Sequence, residues 1–531
     1  MFKISATRKK VKVLSIGLIL TMAHLVLFAQ HTNVMISNSP SIEEPSIMLN
    51  PANPMEMVAG ANLNYVFSST NGGQSWTEKI LTSTYGVWGD PCIIIDNDEN
   101  FYYFHLANPP KDSGEWIDRM VCQKTTDKGA TWSGGSYTGL NGTKVQDKEW
   151  ATVDRRSNTI YLTWTQFDVY GNLTPPKPGD STHIMFSKTM DGGQSWSKAV
   201  RIDETGGDCY DDDNAVEGAV PAVGPGGELY VCWIGPLGLM FDRSMDSGKT
   251  WLQHDIKVSD VPGGWNYMIP GIYRCNGLPV ICVDTSTGPN QGTIYINWSD
   301  QRNGINNTDI WLVKSTDGGN SWTAPAIVNN DNSNRQQFFT WMTIDQSNGY
   351  LYFVFYDRRN HADNYTDVYL AVSKDGGEHF SNHRISETAF LPYQSIFFGD
   401  YTNIVAHQGV VRPIWARLDT TSLSVWTAII DTSFSSISEL VTSQFSVDEA
   451  YPNPFNNTTY ISFKLHSEAN VNLTVTDLHG REICTLLNAD LNAGKYIEHL
   501  NAGQYSMVPG IYIFRLRIND HITFKKIIYS N

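Results

Sequence analysis

One arrangement of apolar and polar positions recurs along most of this chain. An apolar run is followed by a turn, a second run ending in an aromatic residue, a polar loop, a third run and a short Gly-containing turn. The first runs begin near Pro45, Pro91, Ala151, Ala219, Pro279, Trp341 and Thr402, and second runs include Tyr161 to Trp164, Tyr230 to Trp233, Tyr295 to Trp298 and Tyr352 to Phe355. Runs this short, rich in β-branched and aromatic residues and bounded by turn formers, predict strands. The expected fold class is all-β, built from seven similar modules.

The Gly-containing turn is itself a repeat. It reads S/T-x-D/N-x-G-x-x-W/F at Ser69 to Trp76, Thr125 to Trp132, Thr189 to Trp196, Ser244 to Trp251, Ser315 to Trp322 and Ser373 to Phe380. Copies lie about 55 to 70 residues apart, the length of a four-stranded propeller blade with its loops. The Asp side chain can accept hydrogen bonds from its own turn, and the Gly takes a backbone conformation closed to other residues. The aromatic residue then packs the turn onto the sheet. The seventh module has three strands, Val405 to Ala406, Val410 to Trp415 and Leu423 to Ile430, and no such turn. A ring must close or leave an edge exposed, and Asn33 to Ser37 is free to supply the missing strand. Residues 30–435 are therefore expected to form a seven-bladed β-propeller, with six blades as the alternative.

Beyond a linker at 436–446 the pattern changes. Alternation of period two runs through Tyr460 to Leu465, Val471 to Thr476, Gly510 to Arg517 and Phe524 to Tyr529, with a turn at Leu478 to Gly480. Residues 447–531 are expected to form a small β-sandwich.

At the other end, Lys3, Arg8, Lys9, Lys10 and Lys12 precede an apolar run from Val13 to Phe28 and the small residue Ala29. Residues 1–29 read as a secretory signal peptide cut before Gln30, and no later run is long enough for a membrane span. The net charge of −16 disfavours nonspecific attraction to nucleic acid or anionic membrane. Seven cysteines show no metal-type spacing; Cys275 and Cys282 could bridge, or the thiols stay free and buried.

The six turns resemble the Asp box, or BNR repeat, of bacterial sialidases and other propeller proteins. In those families the box is structural and lies on the face away from the active site, so the resemblance implies a fold and leaves the box aspartates without a chemical role. The tail resembles the C-terminal sorting domain of the type IX (Por) secretion system, through Tyr451 to Phe455 (Y-P-N-P-F), Gly494 with Tyr496, the G-I-Y element from Gly510 and the terminal Lys525 to Ile528. That resemblance implies secreted or outer-membrane surface cargo of the type IX machinery, with the tail cleaved or anchored. An accessory sandwich that binds carbohydrate is the other reading of the tail.

In a propeller, the starts of the inner strands and the loops between second and third strands share one face. This collects Glu43, Glu44, Trp88, Asp90, Asp147, Glu149, the run Asp211 to Asp213, Glu217, Tyr273, Arg274, Arg335, Asp400 and Tyr401, with Asp300, Arg302, Asp357, Arg358, Arg359, Arg417 and Asp419 at second-strand exits. A sialidase-like site needs arginines for a substrate carboxylate, a Tyr nucleophile beside a carboxylate, and an acid for proton transfer. The resemblance implies Asp400, Tyr401, Glu217 and Asp90 as catalytic candidates, and Arg274, Arg302, Arg358, Glu149 and Trp88 as substrate-binding candidates. Tyr273 beside Arg274 is an alternative nucleophile. Against these stand plainer readings: Asp300–Arg302 and Asp357–Arg359 as exposed ion pairs holding their own loops, Asp211 to Asp213 as a solvated loop, and the remaining acids as a solvated rim. No cofactor is implied, except that the acids would suit Ca²⁺ with oxygen ligands. His105, His361 and His407 lack partners at metal-ligand spacing. The expected function is a sialidase-like propeller acting on glycans, as an exo-glycosidase removing terminal sugars. The alternative is a noncatalytic surface propeller that binds polysaccharide or protein, and a lyase reaction also remains open.

Overall fold

The computed structural model describes residues 31–110, 114–431, 445–447, 450–465, 467–477, 481–505, 507–519 and 521–530. The expected signal peptide and residues 436–444 of the expected linker lie outside the described residues, as does the turn at 478–480. Every regular element described is a strand, and no helix is long and apolar enough to cross a membrane.

Seven four-stranded antiparallel sheets occupy residues 32–431. Their innermost strands are Ser46–Asn50, Gly89–Ile95, Val145–Asp154, Glu217–Val223, Val280–Val283, Gln337–Asp345 and Asn403–His407. Each touches the next in chain order, and the last touches the first, so the sheets close into a ring of blades. The seventh sheet takes Thr32–Ser37 as its outermost strand, paired antiparallel with Ser422–Asp431 from Thr32↔Ile429 to Ser37↔Val425. Asn33 reaches the sixth blade through Ile385 O (2.7 Å) and Glu387, and Ser39 Oγ donates to Glu78 of the first (2.7 Å). The short N-terminal strand thus covers the longer Ser422–Asp431 strand, which would otherwise form the edge of the seventh sheet.

The repeated pattern has a repeated packing consequence. One register position of the second strands holds Trp164, Trp233, Trp298, Phe355 and Trp415 in the third to seventh blades, and all are buried. A buried Trp removes on the order of 150–250 Å² from water, roughly 4–6 kcal/mol of gross hydrophobic stabilisation. The box turns then join blade to blade. In the box at Thr125, Oγ1 donates to Asp127 Oδ1 (2.8 Å), which also accepts from Thr131 N (2.7 Å), and the other boxes repeat this. Gly248 and Gly319 sit at φ 77° and 87°. A Cβ on either would lie 2.4 Å from Phe186 or Phe241 of the preceding blade. The first box has the seventh blade behind it, and buried Arg412 donates from Nε to Gly72 O (2.6 Å). Since these turns join third to fourth strands, they lie at the end of the ring opposite the inner-strand starts.

The tail pairs a three-stranded sheet (Phe445–Val447, Thr458–Leu465, Gly494–Asn501) with a four-stranded one (Glu482–Leu491, Ala469–Asp477, Gly510–Ile518, His521–Tyr529). Between them lies a core that includes Phe463, Val471, Leu473, Phe514 and Leu516, the inward residues of the alternating runs. All seven cysteines are free, so Cys275 and Cys282 form no bridge.

Candidate functional site

The inner strands do not start straight. Register slips between Gly89 and Cys92, Asp147 and Trp150, Glu217 and Val220, and Phe338 and Trp341 mark a bulge in four blades. The bulged residue is left-handed in each, with φ 54° at Asp90 and Lys148, 67° at Gly218 and 49° at Phe339; Glu44 of the first blade joins them at 50°. Left-handed backbone at residues other than Gly costs roughly 1–3 kcal/mol each and recurs where side chains must be re-aimed. Here the residues at and beside the bulges meet in one cluster.

Lys148 is at its centre. Its buried ammonium lies 2.8 Å from Asp400 Oδ2, 3.3 Å from Asp90 Oδ2 and 3.9 Å from Glu44 Oε1, so the third blade is tied to the first, second and seventh. Arg274, from the approach to the fifth inner strand, donates through Nε to Asp400 Oδ1 (2.9 Å) and through Nη1 to Asp211 Oδ2 (2.9 Å); its Nη2 also contacts Asp400. Tyr170 OH donates to the same Asp211 oxygen (2.8 Å). Asn276 Nδ2 donates to Asp400 O (3.0 Å), and Asp400 N donates to Glu44 Oε1 (3.1 Å). The last contact needs Gly399, at φ 101°, where a Cβ would lie 2.9 Å from Glu44 N.

Carboxyls outnumber the two cations, and burial sorts them. Asp400 is buried, which by itself would raise its pKa, yet Arg274 and Lys148 overcome this and hold it ionised, below the usual carboxylate range. Desolvation likewise opposes the charge on Lys148 and Arg274, and the surrounding carboxylates reverse it, so both stay cationic. Asp147, beside Lys148 but with no hydrogen bond from its ammonium, is pushed up to about 7 by burial. Glu43 is pushed up to about 8 by burial and then by Asp400 and Asp90. Glu44, Glu149 and Glu217 are raised well above the carboxylate range, burial being the largest cause. Neither oxygen of Glu149 or Glu217 has a hydrogen-bond partner. The site therefore sets Asp400, held ionised, against Asp147, Glu43, Glu44, Glu149 and Glu217, whose carboxyls burial makes readier to keep a proton.

Of the residues singled out in the sequence, Asp90, Glu149, Glu217, Arg274 and Asp400 belong to this cluster. Trp88 stands beside it, 36% exposed, two residues before Asp90. Tyr401 is buried in an aromatic plug, its ring centroid 5.2 Å from that of Trp150 and 6.2 Å from that of Trp341. These two tryptophans also line an axial channel of about 540 Å³ bounded by the inner strands. The expected pairing of Tyr401 with Asp400 as nucleophile and base is not made: the carboxylate is occupied by Arg274 and Lys148, and burial drives the phenol pKa up.

Two expected clamp arginines are engaged elsewhere. Arg302 binds Asp300 and Asp260 O and lies over the Trp311 ring at 4.5 Å. Arg358 is fully buried, donating to Pro270 O (2.7 Å) and Thr366 Oγ1 (3.0 Å). The pairs Asp300–Arg302 and Asp357–Arg359 do hold their own loops, but with both aspartates fully buried rather than exposed. Asp211 is likewise a bonded member of the cluster, not a solvated loop residue. No group of His, Cys, Asp and Glu suited to a metal ion occurs among the described residues. The ammonium of Lys148 sits among the acids where a bound cation would.

Lys148 went unnoticed in the sequence. Its signal was available: a lone basic residue between Asp147 and Glu149, at a strand start where the second and fourth blades carry Asp90 and Gly218.

Residues 449–530 match the family of secretion-system C-terminal sorting domains. The tail is such a domain, and it directs the chain by type IX secretion to the cell surface or beyond. Among curated proteins no sequence matches the chain. Solved structures with a similar fold include a protein of unknown function from Dyadobacter fermentans, 11% identical with a TM-score of 0.43, covering 76% of this chain and 98% of its own. The NanB sialidase of Streptococcus pneumoniae is 9% identical at a TM-score of 0.43, over 71% of this chain and 82% of that one. An ulvan lyase from a polysaccharide lyase family is 11% identical at a TM-score of 0.45, over 76% and 94%. Identities this low concern fold alone.

Proposed function

We propose that the propeller is a surface or secreted enzyme that cleaves a glycosidic bond of a glycan, with Asp147 as proton donor and Arg274 as the group that orients the sugar. One observation carries this reading. Within a single buried cluster, Asp400 is held ionised while Asp147 is pushed up to about 7, and a carboxyl raised in this way carries a proton that it can give near neutral pH. Asp147 retains slight exposure, whereas Glu149 and Glu217 have almost none, at 1% and 0%. The side chain of Arg274 is 31% exposed, which makes it the member of the cluster that meets an incoming ligand.

In this reading Asp147 protonates the leaving glycosidic oxygen as its bond to the anomeric carbon breaks, and water adds to that carbon, giving its proton to the Asp147 carboxylate so formed. Arg274, fixed by Asp211 and Asp400, donates paired hydrogen bonds to an acceptor on the sugar. Asp400 and Lys148 are positioning residues that hold Arg274 and keep Asp147 short of a counter-ion. The test is a screen of the mature protein against sialosides, other aryl glycosides and plant or marine polysaccharides, beside Asp147→Asn. Release of sugar by the wild type and its loss in Asp147→Asn are expected. Full activity in Asp147→Asn, or none from the wild type on any substrate, would remove the proposal.

A second reading, noncatalytic polysaccharide binding at the same face, is favoured by the exposed aromatic rings of Trp88 and Tyr273.

A further inference from the structure

A continuous line of rings and bonded groups crosses the site face. Trp88 meets Trp116 edge to face at 5.7 Å, and Trp116 meets Tyr170 in the same way at 5.7 Å. Tyr170 donates to Asp211, and Asp211 accepts from Arg274. The Arg274 guanidinium lies 4.9 Å from the centroid of Phe397, which meets Tyr273 edge to face at 6.0 Å. The line begins in the second blade and ends before the fifth, and both terminal rings are exposed, Trp88 by 36% and Tyr273 by 55%. Each is braced by a partly buried ring, Trp116 or Phe397.

We infer that Trp88 and Tyr273 are stacking platforms for two separate sugar residues of one glycan chain, with Arg274 between them. The natural ligand is thus a polysaccharide spanning several residues rather than a single terminal sugar. The inference rests on the glycan reading above and changes its substrate class. Rigid amphipathic rings bind the apolar face of a sugar at little entropic cost. Charged donors and acceptors between them match a polyhydroxylated chain, whereas the centre of a protein–protein interface is depleted of charge. Five groups separate the two platforms along the line, so a monosaccharide cannot occupy both.

Affinity electrophoresis of the full mature chain in gels containing a sulfated galactan, a polyuronate, a xylan, a β-glucan or mucin tests this directly. At least one of these should retard the protein. Trp88→Ala and Tyr273→Ala, both at exposed positions, should each weaken binding roughly tenfold, and the double variant roughly a hundredfold. A disaccharide from the same polymer should respond to one substitution alone. No retardation by any polymer, or equal affinity in the double variant, would overturn the inference. The two proposals fail separately: cleavage with an unchanged KM for polymer in the double variant removes the platforms and leaves the reaction. Conversely, platform-dependent binding by a protein that cleaves nothing keeps the platforms and removes the reaction.

Discussion

The two ends of the ring use the same side chain in opposite ways. At the box end, Asp127, Asp191 and Asp317 are held near 2 chiefly by the hydroxyl of Thr131, Ser195 or Ser321, with backbone amides adding to it. They face water, are ionised at any ordinary pH, and bind only their own turns. At the site end, Asp147 and Glu43 are desolvated and sit near 7 and 8. What separates them is the supply of donors: a box Asp is surrounded by N–H and O–H groups, whereas the site acids share two cations already taken by Asp400 and its neighbours. Local turn geometry makes a carboxylate structural, and a shortage of donors in a buried place makes one reactive.

The largest contrast should appear in activity. Asp147→Asn is expected to lower turnover on any cleaved glycan by about 10²–10⁴-fold with thermal stability kept or raised, while Asp317→Asn at the box end should leave turnover unchanged; steady-state kinetics of both decides. Next in size is Lys148→Met. Removing the buried ammonium strands Asp400, Asp90 and Glu44 around an apolar side chain, and should destabilise the propeller by about 3–5 kcal/mol in urea unfolding. At the box end the corresponding weak point is a glycine. Gly319→Ala forces a left-handed alanine against Phe241 and should cost about 2–4 kcal/mol with no effect on the site.

The pH dependence of stability should have opposite signs at the two ends. Asp147 and Glu43 have folded pKa values above their ordinary ones of 3.8 and 4.5. Between roughly pH 4 and 8 the folded chain therefore holds protons that the unfolded chain has lost, and stability falls as pH rises through this window. The box aspartates are depressed, so their contribution is present above about pH 4 and lost as pH falls toward 2. Melting temperatures should fall by a few degrees from pH 5 to pH 8, and Asp147→Asn should flatten that slope.

Most of the fold was legible in the sequence because its signals are local and repeat. The box, the alternation of the tail and the missing strand beside Leu423 to Ile430 each follow from neighbouring residues. The ring also made it foreseeable that Asp90, Glu149, Glu217, Arg274 and Asp400 would converge. What could not be read was direction. A one-residue bulge at Lys148 or Asp90 decides which of two adjacent side chains meets the cluster, and nothing local encodes it. Tyr401, next to Asp400, enters the aromatic plug instead. Arg302 and Arg358 stand at second-strand exits, as expected, but each is taken by Asp300 or by backbone and hydroxyl acceptors that only the folded loops bring near. Asp211 looked solvated because its partners, Tyr170 and Arg274, lie 41 and 63 residues away.

The central claim is that the site face stores protonated carboxyls at neutral pH and the box face does not. Infrared difference spectroscopy of the mature propeller, labelled at the Asp and Glu carboxyl carbons and titrated from pH 5 to 9, measures this directly. The account predicts a protonated-carboxyl band that persists at pH 6, loses one component with a midpoint near 7 and another near 8, and shrinks in Asp147→Asn while remaining intact in Asp317→Asn. A spectrum with every carboxyl ionised by pH 5, or a band that Asp147→Asn leaves unchanged, would contradict it.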